Sequence, residues 1–323
     1  MQLVSKPIRS IIWFCLFLFA VKDVHAEPEK RNLKQFQEYF KDVLLVIYYA
    51  NPHFQTMDFI KELYSPVFKN IVFYGDRTEH IDIGEADHEN EDGDYGKYHI
   101  VYTRNGYYLS RWIKDVMINY PGYEGYLFIQ NDVLMQFWNF LNLDKNKIWF
   151  GTNAAWHIGE GEQPKPKCII INRTTDPEYV GWFNTGCGMP QLKNVFSRMS
   201  RMGMNEERDM LKANFQENGA GWFVVDLFYI PGRFAKKTLR LCDLYDRVFC
   251  EISIPTMLGS LDYLHNWEEM PHWWTCFNAG DALREAHDPN YYWMHTLKFS
   301  YENNRNFASK VFYDNFYGVL DEE

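Results

Sequence analysis

Residues 125–138 read GYLFIQNDVLMQFW, and the fold turns on how that stretch divides. The apolar run at 126–129 stops at Gln130-Asn131-Asp132, and apolar residues resume at once. Such a run predicts a strand buried on both faces. Polar groups at its carboxyl end then stand at the rim of a sheet, where open α/β folds bind ligands. The continuation VLMQFWNFLNL predicts a helix packed beneath the sheet. Asp132 therefore has two readings. A carboxylate at a central strand end can coordinate a hard divalent cation. An aspartate just before an apolar run also makes a good helix N-cap.

Outward from this stretch, strands and helices alternate. DVLLVIYYANP predicts a buried strand stopped by Asn51-Pro52, and MDFIKELYSPVF places Phe59, Ile60, Leu63 and Tyr64 at helical spacing. NIVFYG closes a strand–helix–strand unit of about thirty residues, the length of a parallel βαβ. YHIVYT predicts a third strand, and YLSRWIKDVMINYPGY an amphipathic helix with Leu109, Trp112, Ile113 and Val116 on one face. Downstream, KIWFGT, KCIIINRT and GWFVVDLFYIP predict strands, and the segments after Pro190 and Asn205 predict helices. The pattern implies one α/β domain with a mostly parallel central sheet flanked by helices.

The amino terminus reads as a targeting segment. Lys6 and Arg9 precede the apolar stretch IIWFCLFLFAV at 11–21, and Val24 and Ala26 suit a signal-peptidase site before Glu27. As a helix that stretch rises only about 16 Å, well short of a ~30 Å hydrocarbon core. Residues 1–26 are expected to be a signal peptide, or a short signal anchor, leaving a folded chain 27–323 in the secretory pathway, secreted or in the Golgi lumen. No other segment is apolar for long enough to span a membrane. The chain carries a formal net charge of −10, or −12 once Lys6, Arg9, Lys22 and Asp23 are removed. That balance argues against nucleic acid and anionic membrane surfaces as partners. Cys168, Cys187, Cys242, Cys250 and Cys276 would follow cleavage into an oxidising compartment, where disulfides are expected, and Cys242 and Cys250 are close enough to close a small loop. Asn172 in NRT is an acceptor for N-glycosylation.

Other residues carry candidate chemistry, each beside an ordinary structural reading. The acidic run at 85–94 fails the EF-hand pattern, because aligning Gly93 as the sixth position puts His88 first and His99 twelfth. Asp226 in WFVVDLFYIP either faces an acceptor or is paired to fix its strand, since isolated burial is costly. Glu251 before ISIPT is either a general base for an acceptor hydroxyl or an ordinary salt-bridge partner at a strand start. Gly219 and Gly221 permit close backbone approach to a sugar or a plain turn. Trp222 suits stacking on a sugar ring. Cys187 reads as a nucleophile near a helix start or as a disulfide or buried thiol. No Gly-x-Ser-x-Gly elbow or His-Glu-x-x-His helix is present.

The order VLLVIYYANP, NIVFYG, GYLFIQNDV, GAGWFVVDLFYIP and EISIPT resembles a group of eukaryotic secretory-pathway glycosyltransferase-like proteins. The resemblance implies a single Rossmann-like domain of the GT-A type and a nucleoside-diphosphate-sugar donor. It implies a base pocket at Tyr48, Tyr49, Ala50 and Asn51. It implies a manganese ion and the donor diphosphate at Asn131-Asp132, and a glycan or glycoprotein acceptor. Their own chemistry then makes Gly221 and Trp222 candidates beside the sugar and Glu251 or Asp226 candidates beside the acceptor. In that family a last metal ligand often lies near the carboxyl end, which makes His265 and His272 candidates. The usual acidic pair is replaced here by Asn131-Asp132, an amide where a carboxylate is expected. A non-catalytic secreted carbohydrate-binding or interaction protein on the same fold is the alternative.

Overall fold

The computed structural model describes residues 31–50, 53–75, 97–100, 109–156, 169–170, 189–215, 220–274 and 287–320. In chain order the elements are α1 (Leu33–Phe40), β1 (Val43–Tyr49), α2 (Met57–Tyr64), β2 (Ile71–Gly75), β3 (Lys97–Ile100), α3 (Leu109–Asn119), β4 (Gly125–Gln130), β5 (Leu134–Met135), β6 (Trp149–Trp156) and β7 (Ile169–Ile170). Then come α4 (Met189–Arg201), α5 (Asn205–Phe215), β8 (Gly221–Trp222), β9 (Leu227–Pro231), α6 (Ala235–Tyr245), α7 (Cys250–Leu258), β10 (Glu268–Trp274), β11 (Trp293–His295) and α8 (Glu302–Asn315). Every residue of β1 is buried, as its continuous apolar run demands. The predicted face of α3, Leu109, Trp112, Ile113 and Val116, is likewise buried.

Among the described residues, nine strands form one sheet in the order β3-β2-β1-β4-β9-β6-β10-β11-β5, with β7 and β8 as a separate pair. The sheet is mixed. β9 runs antiparallel to β4 and β6, and β5 antiparallel to β11, while the remaining pairs are parallel. Periodicity could not have reported this, because a strand buried on both faces reads as apolar whichever way it runs.

The helix expected at VLMQFWNFLNL does not form. Leu134 and Met135 are β5, paired with Met294 and Trp293, and Phe137–Asn142 is a 3₁₀ turn. The segment is apolar all round, so no helical stripe competes with the tertiary partners. Met135 N–H donates to the Tyr64 hydroxyl at 3.0 Å, and Gln136 N–H to the Tyr292 carbonyl at 2.8 Å. Phe137 packs edge-on among Phe36, Phe68 and Phe316.

A consequence for the whole sheet follows. β5 lies five strand steps from β4 in the sheet order, about 24 Å if the sheet were flat. Yet the chain passes from Gln130 to Leu134 in four Cα steps, at most about 15 Å. The sheet therefore curls back on itself, and the carboxyl end of β11 returns to the carboxyl end of β4.

EISIPT is also not a strand. It lies in α7, with Pro255 inside the helix. Proline removes the bond that would have reached the Glu251 carbonyl one turn back. That carbonyl instead accepts from Phe223 N–H at 3.0 Å, so the helix defect holds the segment leading into Asp226. The Cys242–Cys250 loop closure is absent as well. Both are free thiols, with Cys242 buried on α6 beside the Met257 sulfur and Cys250 opening α7. Cys168, Cys187, Cys276, Asn172, Asn51, the acidic run and residues 1–26 lie outside the described residues. Among the described residues no helix is long and apolar enough to cross a membrane.

The start of β4 admits no side chain. A Cβ at Gly125 would sit 1.9 Å from the Tyr229 hydroxyl oxygen, and the Tyr229 ring is stacked on Trp149 at 3.9 Å. Overpacking of this kind costs about 1–3 kcal/mol or more. Gly125→Ala should therefore lower unfolding free energy by at least about 2 kcal/mol in urea titration. A loss within the scatter of the wild type would show that Tyr229 can yield.

Candidate functional site

The curl gathers polar side chains that the sequence scatters between Asn131 and His295. β1 ends at Tyr48 and Tyr49, β4 at Gln130, β10 at Trp274 and β11 at His295, while β9 begins just after Asp226 at the same rim. Backbone bonds lock the junction. Asn131 N–H donates to the Tyr48 carbonyl at 3.0 Å, Gln130 N–H to the Asp226 carbonyl at 2.8 Å, and Leu297 N–H to the Asp132 carbonyl at 2.7 Å. With no helix after it, Asp132 is not an N-cap. It occupies a turn, and its side chain faces β11.

His295 is the centre of the cluster. Its Nε2 lies 3.4 Å from Asp132 Oδ1 and 3.7 Å from Asp226 Oδ1. The Trp274 ring stacks on the imidazole at 5.9 Å and 15°, and its Nε1–H donates to Asp226 Oδ2 at 2.8 Å. All three ionisable side chains are nearly buried, at 9% exposure for His295, 13% for Asp132 and 11% for Asp226. Asp132 Oδ1 accepts no hydrogen bond among the described residues. A buried carboxylate oxygen without a donor is costly, and such costs persist where a ligand supplies the missing partner.

The electrostatics agree with this crowding. Burial pushes the Asp226 carboxyl above its ordinary value, opposed by His295 and reinforced by the Asp132 charge. The Tyr48 phenol is held far above its usual range by burial and then by the charges of Asp226, Cys250, Asp132 and Glu251. Glu251, half-buried in the first turn of α7, therefore lies within electrostatic reach of the same hydroxyl. Tyr48 itself donates to the Val225 carbonyl at 2.5 Å.

The predicted residues thus divide. Asp132 and Asp226 meet at one rim with Asn131 beside them, whereas Glu251 is tied to that region through its carbonyl, which accepts from Phe223 N–H at 3.0 Å. The rings of Tyr48 and Tyr49 are core, with the Tyr49 hydroxyl on Thr56 Oγ1 at 3.1 Å, so β1 offers a ligand its backbone end rather than those rings. Gly221 is fastened to α7 through Thr256 Oγ1, and the backbone of Trp222 pairs with Ile169. His272 is stacked flat on Trp293 at 3.9 Å, and burial depresses it to about 3, with a smaller push from His295, so it is neutral. His265 is exposed and stacked on Tyr263. His295 and Trp274 are the residues that sequence reasoning missed. Trp293-Met294-His295 reads like any short buried strand, and nothing local marks the histidine.

Among the described residues no group of three His, Cys, Asp or Glu side chains is set to hold a metal ion. Two ligands at right angles on a cation with ~2.1 Å bonds stand about 3.0 Å apart. Asp132 Oδ1 and His295 Nε2, at 3.4 Å, are a few tenths wider. One carboxylate and one imidazole suit a cation that takes its other ligands from a diphosphate and water. The site fits as an incomplete set, not as a closed cage.

No family model matches the chain. It is similar to two probable glycosyltransferases of Arabidopsis thaliana, STELLO1 and STELLO2, at 20% identity over 244 and 250 residues. Each match covers 73% of this chain and 27% of the relative, so the chain spans about a quarter of the length of those proteins. The similarity is distant, and it is to glycosyltransferase-like proteins, as the motif order suggested.

Since folding raises the Asp226 carboxyl above 3.8, ionising it costs more in the native state than in the unfolded chain. The cost is absent below that ordinary value and grows as pH rises towards the folded value. In EDTA, Asp226→Asn should therefore gain stability relative to wild type as pH goes from 4 to 8, read as a widening difference in melting temperature. A difference that is flat or reversed with pH would contradict the burial-dominated account.

Proposed function

We propose that this chain is a glycosyltransferase-like protein of the secretory pathway. It binds a nucleoside-diphosphate sugar at the carboxyl rim of the sheet and passes the sugar to a glycan or glycoprotein acceptor. The observation that carries the reading is the buried Asp132 Oδ1, without a hydrogen-bond donor, 3.4 Å from His295 Nε2. The β3-β2-β1-β4 order with antiparallel β9 beside β4 supports a Rossmann-like, GT-A-type core.

In this reading Asp132 and His295 hold a manganese ion, and the Asn131 side-chain carbonyl adds a neutral oxygen. When bound, such a cation neutralises charge on a diphosphate leaving group. Asp226 faces the acceptor as general base, its carboxyl raised by burial and its Oδ2 fixed by Trp274. Glu251 is the second acceptor-side carboxylate. Trp274 positions both partners by stacking on one and donating to the other. The backbone end of β1, at Tyr48 and Tyr49, lines the nucleotide side, while Gly221 and Trp222 border the sugar.

A ligand at 100 times its dissociation constant stabilises a protein by about 2.7 kcal/mol. A panel of nucleoside diphosphates and their sugars, with and without manganese, should therefore give one clear melting shift that needs the metal. Asp132→Asn and His295→Gln should each abolish that shift while the variant remains folded. A flat panel from folded wild type would reject the transferase reading in favour of a non-catalytic carbohydrate-binding protein.

A further inference from the structure

A second concavity lies apart from the Asp132 cluster. It is an open groove of about 430 Å³ between one side of α4, from Gln191 to Arg201, the end of α6 and the turn that follows α6. Its charged lining is Arg198, Arg201, Arg247, Asp243 and Asp246, and none of Asp132, Asp226 or His295 reaches it. Val248, also in its wall, is three residues before Glu251 in the chain.

The two aspartates are already engaged. Lys114 Nζ lies 2.5 Å from Asp243 Oδ1, and Arg111 lies 3.8 Å from Asp246 Oδ2, both reaching over from α3. No hydrogen bond or ion pair engages the guanidinium of Arg198, Arg201 or Arg247 among the described residues. Among the described residues the groove thus carries three positive charges without a partner, on a chain whose formal net charge is −10. Arginines in the last turn of a helix suit its dipole, which accounts for Arg198 and Arg201 on α4 without any ligand. It does not account for Arg247, which comes from a different element and turns into the same space against like charge. Gln191 and Asn194 add amide groups to the wall.

Guanidinium forks match oxyanions in geometry as well as in charge. A volume of this size holds a small ligand rather than a polymer segment. We propose that this groove binds an anionic sugar, a saccharide unit carrying sulfate, phosphate or carboxylate, and so favours acidic acceptors. The sugar half of this assignment rests on the function proposed above, and the anion half stands on the three arginines alone.

The test is calorimetric titration of the full chain with glucose 6-phosphate, a chondroitin 4-sulfate disaccharide, glucuronate, glucose and inorganic phosphate at low salt. At least one charged sugar should bind while glucose does not. Binding should weaken tenfold or more in R198Q/R201Q/R247Q and remain unchanged in R208Q, an arginine of α5 outside the groove. A melting curve for each variant separates lost binding from lost folding, and single substitutions replace the triple if it unfolds. Equal binding in the arginine variants, or no charged sugar bound by folded wild type, would overturn the proposal. Inorganic phosphate binding as tightly as any charged sugar would overturn its sugar half. Asp132→Asn should leave charged-sugar binding intact, so failure of the donor site and failure of this groove are read independently.

Discussion

A short connection sets the geometry of everything that matters here. Between Gln130 and Leu134 the chain must leave β4 and join a strand that lies five steps away in sheet order. It can do so only if the sheet closes on itself, and the Leu297 N–H bond to the Asp132 carbonyl at 2.7 Å fastens that closure. Because β5 pairs with β11, the closure carries His295 to Asp132. The polar cluster is therefore a product of strand pairing. A local motif at Asn131-Asp132 supplies only part of it.

The fold holds charge in this cluster at a cost to its own stability. Asp226, Asp132 and His295 are nearly buried, and burial is the largest influence on Asp226. A well-packed apolar set would be expected to serve stability better than a buried ionic one. Trp274 limits the damage by donating to Asp226 and covering His295, and the defect at Pro255 frees the Glu251 carbonyl to hold the chain at Phe223. Two departures from local rules, a proline inside a helix and an aspartate inside an apolar segment, thus support one another at the rim. Such departures are where function is expected to override foldability.

Much of the β3-β2-β1-β4 side of the sheet was legible in the sequence, because β1, β2, β4, α2 and α3 follow their own periodicities. Asp132 and Asp226 were legible too, as single acids in apolar surroundings. Three features were hidden. VLMQFWNFLNL has no stripe to distinguish helix from strand, and its state was decided by Tyr64 and Tyr292, far away in sequence. EISIPT looked extended because of its β-branched residues and proline, yet tertiary partners satisfy the carbonyl that the proline orphans. His295 had no local mark at all. It becomes significant only when β11 is known to end beside β4, which is a fact of topology that no window of sequence contains.

The central claim is that Asp132 and His295 are two sides of one cation and diphosphate site. It is tested most directly by crystals grown with manganese and a nucleoside diphosphate and measured at a wavelength where manganese scatters anomalously. The account predicts one anomalous peak between Asp132 Oδ1 and His295 Nε2, with phosphate density beside it and the 3.4 Å gap drawn in to about 3.0 Å. A peak elsewhere, or an empty rim with the nucleotide bound away from Asp132, would contradict it.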